Sequence, residues 1–280
     1  MRHELLWTNH DSDAVRRLRA AAGEDRLFDA LLAIEGASAE ERAVADALVQ
    51  GWADRVRERV ATAPGCPDLG SRVLREVVAD EGALRGDGES YDAPENSLVT
   101  QVLSRRRGQP ILVSSVWLEV GRRAGVNVEG VGLPGHFVAR VGGERGQLVD
   151  PFGGGKPLSV QQCARIVRTI SGGSLPWDAT YLQPTTARQI AERVLRNLVR
   201  ARRCCADVAP LYRAVRLFAE LREDDPEAAL VHAGLAEQLG ACRLAERAYH
   251  AIVERFPGSA EAEAAERRAH DVARRVRALH

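Results

Sequence analysis

One apolar segment constrains the fold of this chain more than any other feature. It covers residues 111–124, and its composition predicts a helix that is buried on nearly all sides. Pro110 stands directly before it, and proline suits the first position of a helix because no amide hydrogen is needed there. A chain of 280 residues is long enough to bury such a helix in one large or two small domains.

Three short segments after this helix have the alternation and β-branched content of strands. They are residues 126–131, 136–141 and 147–149, and a glycine-rich turn at 142–146 separates the last two. A buried helix packed on antiparallel strands predicts an α+β domain.

Both ends of the chain are predicted to be helical. Residues 11–60, 74–81 and 98–107 have helical patterns, and Ser97 or Asn96 is a candidate cap for the third of these. Helices resume at 160–170 and dominate to the end. We place a domain boundary at Pro184, which gives a core domain over 1–183 with a helical N-terminal extension and an all-α region over 184–280.

Residues 226–259 in the second region resemble a tetratricopeptide unit of about 34 residues. Small or apolar residues recur at helix-facing positions, and Leu239 and Gly240 would join the two helices. A generic helical hairpin fits the same spacing, since repeat architectures need about three units.

His136 and Asp150 form the strongest chemical constellation. The turn glycines Gly142 and Gly143 lie midway between them, so a hairpin closed there would place the two side chains across from each other. A carboxylate behind an imidazole fixes its tautomer and supports the imidazolium. The alternative is structural, with His136 as a satisfied core residue and Asp150 as a strand-ending residue before Pro151.

Other polar residues near the apolar helix are candidates for chemical or structural roles. Glu95 is a candidate for acid–base chemistry beside His136, and Asn96 for a helix cap or a cleft residue. Glu119 inside the helix predicts either a structural ion pair, with one of the arginines at 105–107, or an acid with a raised pKa. Ser114 and Ser115 are expected to bond to main-chain carbonyls.

Charge and cysteine content exclude several classes of protein. The 39 basic residues balance 39 acidic ones, which argues against binding to nucleic acid or to a membrane surface. Five cysteines without CxxC spacing predict a reducing cytoplasm, and no stretch approaches about 18 apolar residues. We expect no cofactor and no metal, because the glycines at 153–155 lack the spacing of a phosphate loop and His136 lies in no metal-ligand motif.

The sequence resembles a known family over roughly residues 27–260. The pieces PENS, RRRGQP, GLPGHF and VDPF are similar to the transglutaminase-like core of the SirB-type bacterial proteins, and RVLRNLVRAR resembles the start of their tetratricopeptide-like tail. The resemblance implies the fold of the wider papain-like transglutaminase superfamily. In that superfamily, a Cys at the N-terminus of the buried helix is the nucleophile, and a His and an Asp on the following strands complete the triad. His136 and Asp150 match the last two, whereas Pro110 falls at the nucleophile position.

The resemblance therefore implies a core without thiol-dependent transglutaminase or protease activity, and it leaves two hypotheses. One is a regulatory module that binds a protein partner through its helical tail. The other is an unconventional enzyme that uses His136 and Asp150, with Glu95 or Asn96, for acid–base hydrolysis or isomerisation. Its substrate would be a small molecule or peptide with an amide-like group, bound in a cleft near His136.

Overall fold

A computed structural model describes residues 9–62, 68–205 and 208–278 of the chain. Contacts divide these residues into two compact units. The core unit is Ala21–Val194, and the helical unit consists of the described residues before Ala21 and after Val194. The predicted boundary at Pro184 lies N-terminal to this division and stays a prediction.

Twelve α-helices and six strands account for most of the described residues. The helices are α1 Asn9–Gly23, α2 Leu27–Glu35, α3 Ala39–Ala61, α4 Leu69–Leu74, α5 Val99–Arg105, α6 Pro110–Ala124, α7 Val160–Ile170, α8 Ala187–Arg203, α9 Val208–Leu221, α10 Pro226–Gln238, α11 Cys242–Arg255 and α12 Ala260–Ala278. The strands are β1 Arg85–Gly86, β2 Arg107–Gly108, β3 Val128–Val131, β4 Val138–Val141, β5 Gln147–Asp150 and β6 Lys156–Leu158. The α+β class predicted from the sequence is confirmed.

The predicted buried helix is α6, which packs against α3 and against the sheet at β3 and β4. Its central residues from Ile111 to Trp117 are all buried, and Trp117 is fully inaccessible to solvent. Gly125 ends the helix with a φ of 78°, which a glycine adopts without the steric cost of a Cβ.

The sheet has the order β3-β4-β5-β6, and all of its pairings are antiparallel. The predicted strand at 136–141 begins only at Val138, and β6 was not predicted. The sequence of β6 is Lys156-Pro157-Leu158, which has no strand-like pattern. Proline is tolerated there because β6 is an edge strand that pairs only with β5.

Three helical expectations need correction. The predicted helix at 74–81 is a π-helical turn, Arg75–Glu81, that continues α4. The predicted helix at 98–107 is the shorter α5, which ends where Arg106 adopts a φ of 58°. Its N-cap is Leu98 without a side-chain hydrogen bond, so neither Ser97 nor Asn96 caps it.

The helical unit has a core of small residues between α9 and α12. Ala233 and Ala236 on α10 pack with Ala245 and Tyr249 on α11, and all four are completely buried. The two helices join at the predicted place, with Gly240 at a φ of 71°. In the described part of the chain, no helix is long and apolar enough to cross a membrane.

Candidate functional site

The structure brings His136 and Asp150 together at one end of the sheet. The imidazole Nε2 of His136 lies 3.1 Å from a carboxylate oxygen of Asp150, the last residue of β5. The His136 and Asp150 side chains are only 11% and 17% exposed. In the neutral imidazole that donates this hydrogen bond from Nε2, the other nitrogen, Nδ1, is an acceptor.

The two residues do not face each other directly across the hairpin as predicted. In the register of β4 and β5, Ala139 pairs with Val149, so Asp150 continues the ladder beside Val138. His136 lies in the turn before β4 and reaches Asp150 diagonally. The two side chains lie within hydrogen-bond distance, and the observed register differs by two residues from the predicted one because Val141 and Gln147 close the turn.

Arg193 on α8 holds the turn that carries His136. Its Nη2 donates hydrogen bonds to the carbonyl oxygens of Leu133, at 2.9 Å, and His136, at 2.8 Å. Its guanidinium carbon lies 5.6 Å from the centre of the Phe137 ring. Sequence reasoning missed this role, and a lone arginine far along the chain gives no local signal of it.

Gly135 allows this turn to form. It adopts a φ of 75°, and a Cβ added there would lie 2.3 Å from the Ile170 side chain. The close neighbour belongs to helix α7, so both the backbone conformation and the packing require a glycine here.

Phe152 forms the apolar wall beside the imidazole. The ring centres of His136 and Phe152 are 5.8 Å apart, in an edge-on arrangement, and the ring centres of Tyr91 and Phe152 are 6.4 Å apart. Gly86 permits this placement, since its amide donates to the Phe152 carbonyl at 2.9 Å and a Cβ on Gly86 would overlap the ring. Phe152 belongs to the VDPF motif but was not singled out from the sequence.

Asn96 is a fully buried structural residue rather than a helix cap. Its Nδ2 donates to the Asp87 carboxylate at 3.2 Å and to the Ser90 carbonyl at 2.6 Å, and its Oδ1 accepts from Arg105 at 3.0 Å. Hydrogen bonds from the main-chain amide of Ser90, above all, hold the pKa of Asp87 below its usual range. The cluster therefore pairs a buried carboxylate with a cation and an amide.

This cluster ties the loop before α5 to the start of α6. The side-chain nitrogen of Gln109, Nε2, donates to the Tyr91 carbonyl at 3.1 Å. The Ser97 hydroxyl donates to Gln109 Oε1 at 3.1 Å. Glu95, by contrast, is exposed. Among the described residues, Asp150 is the only hydrogen-bond partner recorded for the His136 ring, so neither Glu95 nor Asn96 joins the pair directly.

The matching family model is the Transglutaminase-like superfamily, which covers residues 43–196 of the chain. This chain is a member of the transglutaminase-like superfamily. The observed buried helix, antiparallel sheet and His–Asp pair lie within the matched residues.

Proteins of the UPF0162 group are similar to this chain in sequence. A UPF0162 protein of Xylella fastidiosa is 39% identical over 157 residues, which cover 55% of this chain and 56% of that protein. The matched segment thus spans little more than half of that relative. A UPF0162 protein of Pseudomonas aeruginosa is 30% identical over 226 residues, 79% of this chain and 73% of that protein, so this transglutaminase-like protein belongs with the UPF0162 proteins. Among solved structures, menin overlaps 94% of this chain and 68% of its own, with a TM-score of 0.36 and 12% identity.

In this transglutaminase-like protein, the N-terminus of α6 holds Pro110 in a buried position. The preceding Gln109 has extended backbone angles and makes no side-chain cap. The hydroxyls of Ser114 and Ser115 donate to the carbonyls of Phe137, at 3.3 Å, and Ile111, at 2.6 Å, as the sequence predicted.

Glu119 forms a structural ion pair, and its partners differ from those expected. Its carboxylate lies 2.7 Å from both Arg122 and Arg123, three and four residues along α6, whereas pairing with residues 105–107 was predicted. Side chains at these spacings share one helix face, which makes the local partners the nearer ones.

The described cysteines lie away from the start of α6. Cys163 on α7 is fully buried, and burial, followed by the nearby Asp150 carboxylate, raises the pKa of its thiol. Cys204, Cys205 and Cys242 belong to the helical unit, and Cys66 lies outside the described residues. Within the described ranges, no three His, Cys, Asp or Glu side chains converge as a metal site.

Proposed function

We propose that this protein is a binding and regulatory module, built on a transglutaminase-like core without the thiol nucleophile, that recognises a protein partner through its helical unit. One observation carries the proposal. Pro110 is buried at the first position of α6, where the superfamily resemblance expects the nucleophilic cysteine. Proline has no group that can attack an acyl carbon, so covalent thiol catalysis cannot start there.

The buried thiol of Cys163 does not replace it. Nucleophilic cysteines need a stabilised thiolate, and burial in an apolar cluster with a neighbouring carboxylate favours the protonated form instead. This electrostatic environment supports a role for the core other than thiol chemistry.

The helical unit supports recognition of a partner. Helices α10 and α11 pack as a hairpin on a core of alanines, and α12 packs against both. Stacked helical hairpins present extended surfaces on which other proteins bind. The free cysteines described in the chain fit a reducing compartment, and we place the protein in the cytoplasm.

An unbiased peptide selection tests this function. Random 12-residue peptides displayed on phage are selected against the full chain, and hydrogen exchange maps where the enriched peptides protect it. We expect protection on α9–α12 and equal binding by a His136→Gln variant. Protection confined to the turn before β4 and to the end of β5, or an absence of enriched peptides, would refute the proposal.

The His136–Asp150 hydrogen bond favours a second candidate, an acid–base enzyme acting on an amide- or peptide-like substrate. General acid–base catalysis contributes about 10²–10⁴-fold, so such an enzyme would need further stabilisation from binding. The test is incubation of the chain with a mixed peptide library, followed by mass spectrometry. Products formed by the wild type and by Glu95→Gln, but not by His136→Gln or Asp150→Asn, would establish this activity.

A further inference from the structure

The helical unit contains a cavity of about 300 Å³ that is separate from the His136 site. Helices α1, α9, α10 and α11 contribute its lining. Its charged residues are four arginines against two glutamates: Arg19, Arg216, Arg247, Arg255, Glu220 and Glu223. This lining therefore has a formal charge of +2, in a protein whose charges balance overall.

The two glutamates are already engaged by arginines of the same cavity. Arg19 lies 3.1 Å from Glu220 and 2.9 Å from Glu223, and Arg255 lies 3.6 Å from Glu223. Arg216 approaches Glu220 at 3.5 Å. Each carboxylate therefore pairs with two guanidiniums, and the cavity lining keeps a net positive charge.

Arg247 contributes to this excess charge. It is exposed on α11, and the described residues include no hydrogen bond or ion pair to its guanidinium. A guanidinium presents a planar fork of donors that matches a carboxylate in a bidentate arrangement. Arg247 is therefore placed to receive an anionic group from another molecule.

An apolar surface lies directly beside these charges. Leu244, Ile252 and Phe256 line the cavity with several alanines, and the Arg255 guanidinium carbon lies 5.6 Å from the centre of the Phe256 ring. A ligand that fills the cavity must therefore offer an aliphatic group as well as a negative charge. Nucleic acid would offer phosphates without such an aliphatic group.

His232 adds polarity without adding charge. Its Nε2 lies 2.8 Å from the Tyr212 hydroxyl, and burial, followed by the charge of Arg216, lowers the pKa of His232 to about 4. The imidazole is then neutral at neutral pH, so the positive field in the cavity comes from the guanidiniums alone.

We propose that this cavity binds an acidic peptide segment, with a carboxylate on Arg247 and an aliphatic side chain against Leu244, Ile252 and Phe256. The inference rests on the proposed function and names the chemistry of the partner. It follows from the charge and the apolar lining of the cavity, which together select against basic and fully polar segments.

A charge-reversal pair tests the inference. Peptides enriched from the phage selection are labelled, and fluorescence anisotropy measures their affinity for the full chain, for Arg247→Glu and for Arg267→Glu. Arg267 is exposed on α12 and lies outside the cavity, so its reversal changes the net charge equally. We expect acidic peptides with at least one Leu or Ile, at least about tenfold weaker binding to Arg247→Glu, and less than about twofold change for Arg267→Glu.

The outcomes separate this inference from the proposed function. Peptides that bind the helical unit but are neutral or basic, or that bind Arg247→Glu as well as the wild type, would overturn the acidic-ligand inference alone. An absence of peptides on the helical unit would overturn both. Arg247→Gln serves as a second variant if the reversal lowers the melting temperature, and it should weaken binding in the same direction.

Discussion

The Nη2 of Arg193 lies 2.8 Å from the main-chain carbonyl oxygen of His136 and donates a hydrogen bond to it. The same nitrogen also donates to the carbonyl of Leu133. The turn that carries the imidazole is therefore held by a residue of α8, a helix that is distant from it in the sequence. The contact therefore helps to hold His136 beside Asp150.

We expect Arg193→Met to lower the free energy of unfolding by about 1–3 kcal/mol, because two partly buried carbonyl oxygens lose their charged donor. Arg196→Met is the matched control, since Arg196 is exposed on the same helix, and its effect should stay within about 0.5 kcal/mol. Urea unfolding of both variants measures the difference. Equal effects would show that Arg193 does not stabilise the turn.

Replacement by alanine should lower the stability of the protein much more at Asn96 than at the neighbouring candidate Glu95. Asn96→Ala removes a buried amide that donates to the Asp87 carboxylate and to the Ser90 carbonyl and accepts from Arg105, so we expect a loss of about 1–3 kcal/mol. Glu95→Ala removes an exposed side chain and should change stability by less than about 0.5 kcal/mol. Chemical denaturation compares them, and a neutral Asn96→Ala would contradict the structural role.

The sequence predicted those parts of the fold that local pattern determines. The bounds of α6 follow from its apolar run between Pro110 and Gly125, and the hairpin follows from alternation around the turn glycines. Strand β6 escaped prediction because its pairing with β5, and not its own composition, makes it a strand.

The site was predictable only in part, for a related reason. His136 and Asp150 have a sequence signature because a short hairpin links them. Arg193 and Phe152 meet His136 through tertiary packing, which leaves no periodic signal in the chain. Asn96 was a candidate cap because asparagine is favoured before a helix, whereas here its Nδ2 donates to Asp87 and its Oδ1 accepts from Arg105.

His232 should make the stability of the helical unit depend on pH. Its pKa is about 4 in the folded protein, against about 6.5 for an unperturbed histidine. The unfolded state therefore binds more protons between these values, and stability should fall as the pH drops from about 6.5 towards 4, by roughly 3 kcal/mol in total.

His232→Gln should flatten this slope, whereas His250→Gln, at an exposed position on α11, should leave it unchanged. Urea unfolding across this pH range would contradict the assignment if the slope survives in His232→Gln.

Two nearby glycines, Gly86 at the end of β1 and Gly88 just after it, test the packing of Phe152 beside His136. A Cβ at Gly86 would lie 2.2 Å from the Phe152 ring, whereas a Cβ at Gly88 would meet no atom within 4 Å. Gly86→Ala must therefore displace the ring from the imidazole, and we expect a loss of about 1–3 kcal/mol, as for other overpacked sites. Gly88→Ala should have little effect, within about 0.5 kcal/mol.

Thermal unfolding gives the stabilities, and the ¹H–¹⁵N spectrum of the His136 ring should shift only in Gly86→Ala. An unshifted ring in that variant would show that Phe152 does not define the environment of the imidazole.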